Sequence, residues 1–115
     1  METISAIGID LADINKFRKK PYHSNQSFYK KIFSYSEIKY CLKFKNSYEH
    51  FAGKFAIKES VKKAISTKIK FLDIITSHSD SKPTVTIKNN SYKKRLILSS
   101  ISHESGFAIG FVLVQ

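Results

Sequence analysis

Phe51, Phe55, Glu59 and Lys63 recur at four-residue intervals within Phe51-Ala52-Gly53-Lys54-Phe55-Ala56-Ile57-Lys58-Glu59-Ser60-Val61-Lys62-Lys63-Ala64-Ile65. No other segment constrains the chain as much. Read as a helix, the run stacks these four side chains up one face, with Ala52 and Ala56 beside them. That face begins apolar and ends in a carboxylate and an ammonium. It either leaves the core at Glu59 or opens into a site there, because burying an unpaired charge costs several kcal/mol. Glu59 therefore needs a partner. Lys62 or Lys63 would give an ordinary helix pair worth about 0.3–0.5 kcal/mol; a metal ion is the sharper answer.

The chain has 115 residues, enough for one core, and residues 1–115 read as a single domain. A domain of this size buries roughly 65% of the surface its unfolded chain exposes, so association would help it. The formal net charge of +11 attracts anions: nucleic acid, a phosphorylated cofactor, an anionic membrane surface or an acidic protein. The single Cys41 excludes an internal disulfide framework, offers zinc no cysteine pair, and fits a reducing compartment. The N-terminus carries no signal-peptide pattern and no apolar run approaches a membrane span, so a cytoplasmic, non-membrane protein is expected.

Local patterning predicts an α+β chain. Residues 4–11 alternate as a strand, with Ile7, Ile9 and Leu11 on one face and Gly8 and Asp10 on the other. A short basic helix or turn follows and stops at Pro21, and residues 26–32 are compatible with a helix. Ser34 and Glu37 form a capping-box signature for a third helix that buries Ile38, Cys41 and Leu42. The long helix is expected over residues 48–65. Residues 71–76 and 84–88 read as strands joined by a polar turn over 77–83. Asn89-Asn90-Ser91 would cap a short helix running to Leu98. Residues 100–103 and 107–114 close the chain as two strands around Glu104-Ser105-Gly106. The last strand is apolar on both faces, which implies that a partner subunit covers one of them.

Three pieces carry the chemistry: Ile7-Gly8-Ile9-Asp10 on a strand, Lys58-Glu59-x-x-x-Lys63-Ala64 on the long helix, and Ser100-Ile101-Ser102-His103 near the end. With Phe33-Ser34-x-x-Glu37-x-x-Tyr40-Cys41, their order and spacing resemble holo-(acyl-carrier-protein) synthase, the small trimeric class of 4′-phosphopantetheinyl transferases. The resemblance runs from about Ile7 to Val114. It implies a small antiparallel sheet packed with helices, assembly as a homotrimer, and active sites at subunit interfaces. It also implies transfer of the 4′-phosphopantetheine arm of coenzyme A to a serine of an apo acyl carrier protein, with release of adenosine 3′,5′-bisphosphate.

By that resemblance Asp10 and Glu59 match the two carboxylates that hold Mg²⁺, an ion that accepts one or two carboxylates together with substrate phosphates. A metal-held water or Glu59 itself is the candidate base for the serine, and Lys63 a candidate to neutralise or protonate the leaving phosphate. Lys54 and His103 match positions lining the coenzyme A site, with Lys43, Lys45 and the Ser81-Lys82-Pro83 turn as further candidates for its phosphates and adenine. Lys16 falls at the family's usual arginine position after the metal aspartate, and with Arg18 it would grip the acidic carrier. The chain departs from the family in that lysine, in the glycine-free Ser66-Thr67-Lys68-Ile69-Lys70, and in Ser81-Lys82-Pro83, where Gly-Lys-Pro is usual.

Plainer readings stand beside these. Asp10 alone reads as a strand-end cap, His103 as a hairpin support, and Tyr40 and Cys41 as core. A basic nucleic-acid-binding module is the rival from another class, but it needs aromatics interleaved with Lys and Arg on one surface, whereas most aromatics here fall at core-like positions. It also leaves Asp10 and Glu59 unexplained. A family member that binds coenzyme A or carrier protein without turnover is the second rival.

Overall fold

The computed structural model describes residues 3–88, 92 and 94–115. Chain order gives β1 (Ala6–Asp13), α1 (Ile14–Arg18), a 3₁₀ turn (Tyr22–Ser24), α2 (Gln26–Lys30), α3 (Tyr35–Leu42) and α4 (Ser47–Ala64). A second 3₁₀ turn (Phe71–Asp73) leads into β2 (Ile74–Ser79), β3 (Lys82–Ile87), β4 (Ile97–Glu104) and β5 (Phe107–Val114). The α+β expectation holds, with two antiparallel sheets: β1-β5-β4 and the hairpin β2-β3. Ser99 Oγ, donating to the Pro83 carbonyl at 3.1 Å, ties the hairpin to β4.

Two glycines decide how α4 lies on the larger sheet. A Cβ at Gly8 would stand 2.0 Å from the Ser60 carbonyl oxygen, and one at Gly110 would stand 2.7 Å from Ala56 C and Ile57 N. Only glycine lets the two backbones meet this closely. Ser60 Oγ completes the seam, 2.9 Å from the Gly110 carbonyl and 2.7 Å from that of Ala56, with one hydrogen shared between them.

The strand faces are therefore used in the opposite sense from the apolar pattern of β1. Gly8 and Ala12 turn toward the helix, while Ile7, Ile9 and Leu11 are 62%, 59% and 59% exposed. Leu98, Phe107, Ile109 and Phe111 extend this open apolar face across β4 and β5. Of the two apolar faces of β5, α4 covers the one bearing Ala108, Val112 and Val114. On the other side of α4 the aromatics Phe17, Tyr29, Phe33 and Phe51 are buried around it, and the Tyr29 hydroxyl reaches the carbonyls of Phe17 and Lys20 at 3.1 and 2.7 Å.

The capping box forms as expected. Ser34 Oγ accepts from Glu37 N, and Glu37 Oε1 accepts from Ser34 N. Other elements shift. The strand expected from residue 71 begins at Ile74, after a 3₁₀ turn, and the turn read over 77–83 shrinks to Asp80 and Ser81, both at positive φ. Such residues complete a two-residue hairpin loop whose twist matches the strands. Ser105 and Gly106 do the same between β4 and β5. The helix expected to reach Leu98 does not do so, because β4 already begins at Ile97 and pairs it with Val114. Its proposed cap, Asn89-Asn90-Ser91, lies outside the described residues.

Candidate active site and cofactor cleft

Asp10 sits on the α4-facing side of β1 between Gly8 and Ala12, opposite Gly110 in the strand register. Its carboxylate accepts a hydrogen bond from Lys63 Nζ at 2.9 Å, and the same ammonium donates to the Ile9 carbonyl at 3.0 Å. The ion pair is only partly shielded, with the Lys63 and Asp10 side chains 54% and 15% exposed. Glu59 lies one turn before Lys63 on α4, is half-buried, and forms no ion pair with a described residue. The ordinary helix pair with Lys62 or Lys63 is thus not made: Lys62 donates instead to the Ile69 carbonyl at 2.9 Å.

Asp10, reaching Lys63, and Glu59, one turn before Lys63 on α4, make a sparse donor set, and the described residues hold no group of three His, Cys, Asp or Glu able to cage a cation. The set fits Mg²⁺, which keeps several waters and uses one or two carboxylates plus substrate phosphates. It does not fit a tetrahedral zinc site, which needs three or four protein ligands. Asp10, Lys63, Ile9, Leu11 and Ile109 line a depression of about 400 Å³ on the edge of the open sheet face.

A second cleft of about 400 Å³ opens at the other end of α4, between α3, α4, the β2–β3 hairpin and β4. Lys54, His103 and Pro83 line it together, joined by Tyr40, His50 and His78. His103 Nε2 lies 3.1 Å from the Glu49 carbonyl oxygen, a contact only an Nε2–H can use. It therefore braces β4 against α4 while its ring faces the cleft. Lys82 lines a separate hollow between β3 and β4, and Lys45 lies exposed in the α3–α4 connection, outside the cleft. Lys16 and Arg18 project from α1, Lys16 over the Phe55 ring at 4.6 Å and Arg18 donating to Asn15 Oδ1 at 2.6 Å.

The sequence reading gave Glu37 a capping role but assigned none to Lys58 or Thr76 behind the cleft. Lys58 is fully buried and donates to Glu37 Oε1 at 2.7 Å, to the Ile32 carbonyl at 2.8 Å and to the Phe71 carbonyl at 3.0 Å. Glu37 Oε2 accepts from Thr76 N at 2.9 Å and Thr76 Oγ1 at 2.6 Å. Burial alone would raise the Glu37 pKa, but the Lys58 charge and the hydrogen bonds from Lys58, Thr76 and Ser34 outweigh it and hold the carboxyl below its ordinary value. The available signal was the Lys54/Lys58 repeat. Two lysines four apart lie on one helix face, here the face against α3 and β2.

His50 and His78 were also missed. Phe44 stacks on His50 with centroids 3.9 Å apart, and Tyr40 stacks on His78 at 4.5 Å. Burial, followed for His78 by the Lys54 charge and for His50 by the His103 charge, lowers both histidine pKa values. The cleft thus keeps neutral, stacked imidazoles beside a buried ammonium, a surface suited to an aromatic ring that carries anionic groups.

A glycine-seamed helix laid on a three-stranded antiparallel sheet, with carboxylates at one end and a basic aromatic cleft at the other, defines a small α+β enzyme domain for anionic cofactor chemistry. The family model described as the 4′-phosphopantetheinyl transferase superfamily matches residues 6–112, and the chain belongs to that superfamily. It is 39% identical to the holo-[acyl-carrier-protein] synthase of Halothermothrix orenii, over 96% of each chain. Against that of Chlamydia caviae the identity is 37%, over 89% of each. Among solved structures, the Helicobacter pylori holo-[acyl-carrier-protein] synthase in complex with coenzyme A superposes with a TM-score of 0.81 at 35% identity, covering 95% of this chain and 99% of that one.

Proposed function

We propose that this chain is a holo-(acyl-carrier-protein) synthase, transferring the 4′-phosphopantetheine arm of coenzyme A to a serine of an apo acyl carrier protein. The observation that carries this reading is the Asp10–Lys63 contact. It joins a strand carboxylate to the helix turn that bears Glu59, residues far apart in sequence. Lys54 lies five residues before Glu59 on the same helix, about 7.5 Å of axial rise away. The anion-seeking cleft and the carboxylate pair thus share one rigid element. The relatives' names and the coenzyme A bound in the Helicobacter pylori structure support the same reading.

Asp10 and Glu59 would hold Mg²⁺, which supplies positive charge to the cofactor's pyrophosphate as the phosphorus–oxygen bond breaks. Glu59 accepts the proton from the attacking serine hydroxyl. The serine oxygen then forms a bond to the phosphorus of the arm, and the bridging oxygen leaves with adenosine 3′,5′-bisphosphate. Lys63, released from Asp10, faces that leaving charge. Phosphoryl transfer of this kind depends on positioning and electrostatics rather than on many reacting groups. Lys54 and His103 grip the nucleotide end, with Pro83 on the cleft wall and Lys82 and Lys45 reaching its phosphates from outside. Lys16 and Arg18 on α1 meet the acidic carrier.

The open face of Ile7, Ile9, Leu11, Leu98, Phe107, Ile109 and Phe111 supports assembly with further copies of the chain, as a homotrimer. Solitary exposed leucines need no explanation, but a contiguous apolar sheet face does. Cys41 is a buried free thiol whose pKa burial pushes up to about 12, an inert core group in keeping with a cytoplasmic protein. No helix among the described residues is long and apolar enough to cross a membrane.

One assay tests the reading. The protein is incubated with coenzyme A, Mg²⁺ and an apo acyl carrier protein, and the carrier is followed by intact mass. Gain of the phosphopantetheine arm is expected. If no apo carrier from a panel gains it, while the protein binds RNA or DNA in a salt-sensitive manner, the transferase reading fails.

A further inference from the structure

Lys54 is a buried lysine, 3% exposed, with no directly paired carboxylate among the described residues. Its Nζ lies 3.0 Å from Thr76 Oγ1, 3.5 Å from the Thr76 carbonyl oxygen and 4.8 Å from the centroid of the Tyr40 ring. An ammonium can only donate, so the Thr76 hydroxyl accepts from it. That hydroxyl has one hydrogen of its own, and Glu37 Oε2 takes it at 2.6 Å.

The direction of every bond is then determined. Glu37 is held by Lys58, by Ser34 N and by Thr76 N, so its carboxylate cannot turn away. Glu37 in turn fixes the Thr76 hydroxyl with its hydrogen toward the carboxylate and a lone pair toward Lys54. A lysine stem is long and flexible, and its ammonium keeps one position only where an acceptor holds it.

We infer that Thr76, oriented by Glu37, is a positioning residue that holds the Lys54 ammonium at the cleft wall for a phosphate group of the nucleotide cofactor. This inference rests on the coenzyme A reading of the cleft. The Thr76 hydroxyl does not touch the ligand; it acts through Lys54. The arrangement gives the ammonium no directly paired carboxylate, because Glu37 pairs with Lys58 and reaches Lys54 only through the Thr76 hydroxyl and at longer range. A direct Lys54–carboxylate pair would fix the lysine equally well but would repel the ligand.

The test uses the full chain, with adenosine 3′,5′-bisphosphate binding measured by calorimetry and transfer kinetics measured with coenzyme A. Thr76→Val keeps the side-chain shape and removes the hydroxyl. It should weaken bisphosphate binding and raise KM for coenzyme A, each by about tenfold, with kcat within about twofold. Thr76→Ser, which keeps the hydroxyl, should restore both. In a Lys54→Ala background, Thr76→Val should have no further effect on binding. Unchanged bisphosphate affinity in Thr76→Val, or additive losses with Lys54→Ala, would overturn the inference while leaving the cofactor reading intact. Failure of the wild-type chain to bind the bisphosphate would overturn that reading and this inference with it. If Thr76→Val does not fold, Thr76→Ala and Thr76→Ser supply the same comparison, and equal affinity in those two overturns the inference.

Discussion

Lys63 Nζ stands 2.9 Å from Asp10 Oδ1, so an ammonium pairs with the carboxylate proposed to hold the metal. The pair is partly solvated and worth no more than about 1 kcal/mol. Were Asp10 and Glu59 to hold a dication, so weak a partner would give way and the Lys63 ammonium would be available to the leaving group.

Asp10→Asn and Glu59→Gln should therefore each reduce transfer by at least about 10²-fold with thermal midpoints close to wild type, since neither carboxylate holds the core together. Intact mass of the carrier reads the rate and a thermal melt reads the fold. Activity near wild type in both variants would remove the metal assignment.

Lys63→Met separates the lysine's two roles. Without the ammonium, Asp10 has no competitor, so the Mg²⁺ concentration for half-maximal rate should not rise. Removal of the leaving-group cation should still lower kcat by about 10- to 100-fold. A chelator should abolish transfer and added Mg²⁺ restore it. A kcat that stays at the wild-type level would show that Lys63 serves only to tie α4 to β1.

Gly8→Ala tests the seam between α4 and the sheet. Its new methyl would meet the Ser60 carbonyl oxygen at 2.0 Å, a backbone atom that cannot move without moving the helix. Overpacking of this kind costs about 1–3 kcal/mol, occasionally more. The melting temperature should fall by several degrees, and transfer should fall as well, because the shift separates Asp10 from Glu59. Gly106→Ala is the contrast: nothing crowds its Cβ, and only its φ of 86° resists the change.

Much of this was legible in the chain because it is local. The Ser34/Glu37 capping box, the length of α4 and the Ser105-Gly106 turn follow from short-range preferences that tertiary packing reinforces. Asp10, Glu59 and Lys63 were found because their spacing matches a family pattern, and Asp10 and Lys63 do meet. The orientation of β1 was not legible. Period-two alternation gives two faces but does not say which one a helix will take, and close approach favoured glycine over isoleucine. Thr76 was hidden for a different reason: its partners Glu37 and Lys54 come from two other elements, and nothing in residues 71–76 marks a threonine as buried.

The buried Glu37–Lys58 pair should set the acid limit of stability. Glu37 is held below its ordinary pKa, so its contribution is fully present above the unfolded-state value and is lost as pH falls through the folded one. His50 and His78 act in the same direction at higher pH. Their folded values are lowered, so the unfolded chain binds more protons just below about 6.5 and stability declines as pH drops through that window. Glu37→Gln leaves the Lys58 ammonium buried and unmatched, at a cost of about 3–5 kcal/mol. Combining it with Lys58→Met should cost less than the two single losses added together. Denaturant melts at pH 7.5, 6 and 4 measure all three effects, and additivity of the two substitutions would mean that the pair does not interact.

If copies of the chain assemble on the open sheet face, that assembly would bear on activity. Asp10 and Lys63 share their depression with Ile9, Leu11 and Ile109, so the carboxylate site has a wall made partly of the apolar face. In a lone chain that wall is wet, and charge interactions at the site are weakened by water. A second copy seated on the face would dry the wall and bring its own side chains to the edge of the site. Leu98 and Phe111, 51% and 38% exposed, lie on the face but do not line the depression, so they can be changed without touching the carboxylates. Leu98→Glu combined with Phe111→Glu places two charges where an interface would have to bury them. The wild-type chain should run in light scattering at three times the monomer mass and the double variant at the monomer mass, with an unchanged helical signal. Transfer by the variant should fall at least about tenfold and recover only partly at high protein concentration. A monomeric variant of full activity would mean that each chain carries a complete site. A variant that still assembles would move the interface off this sheet.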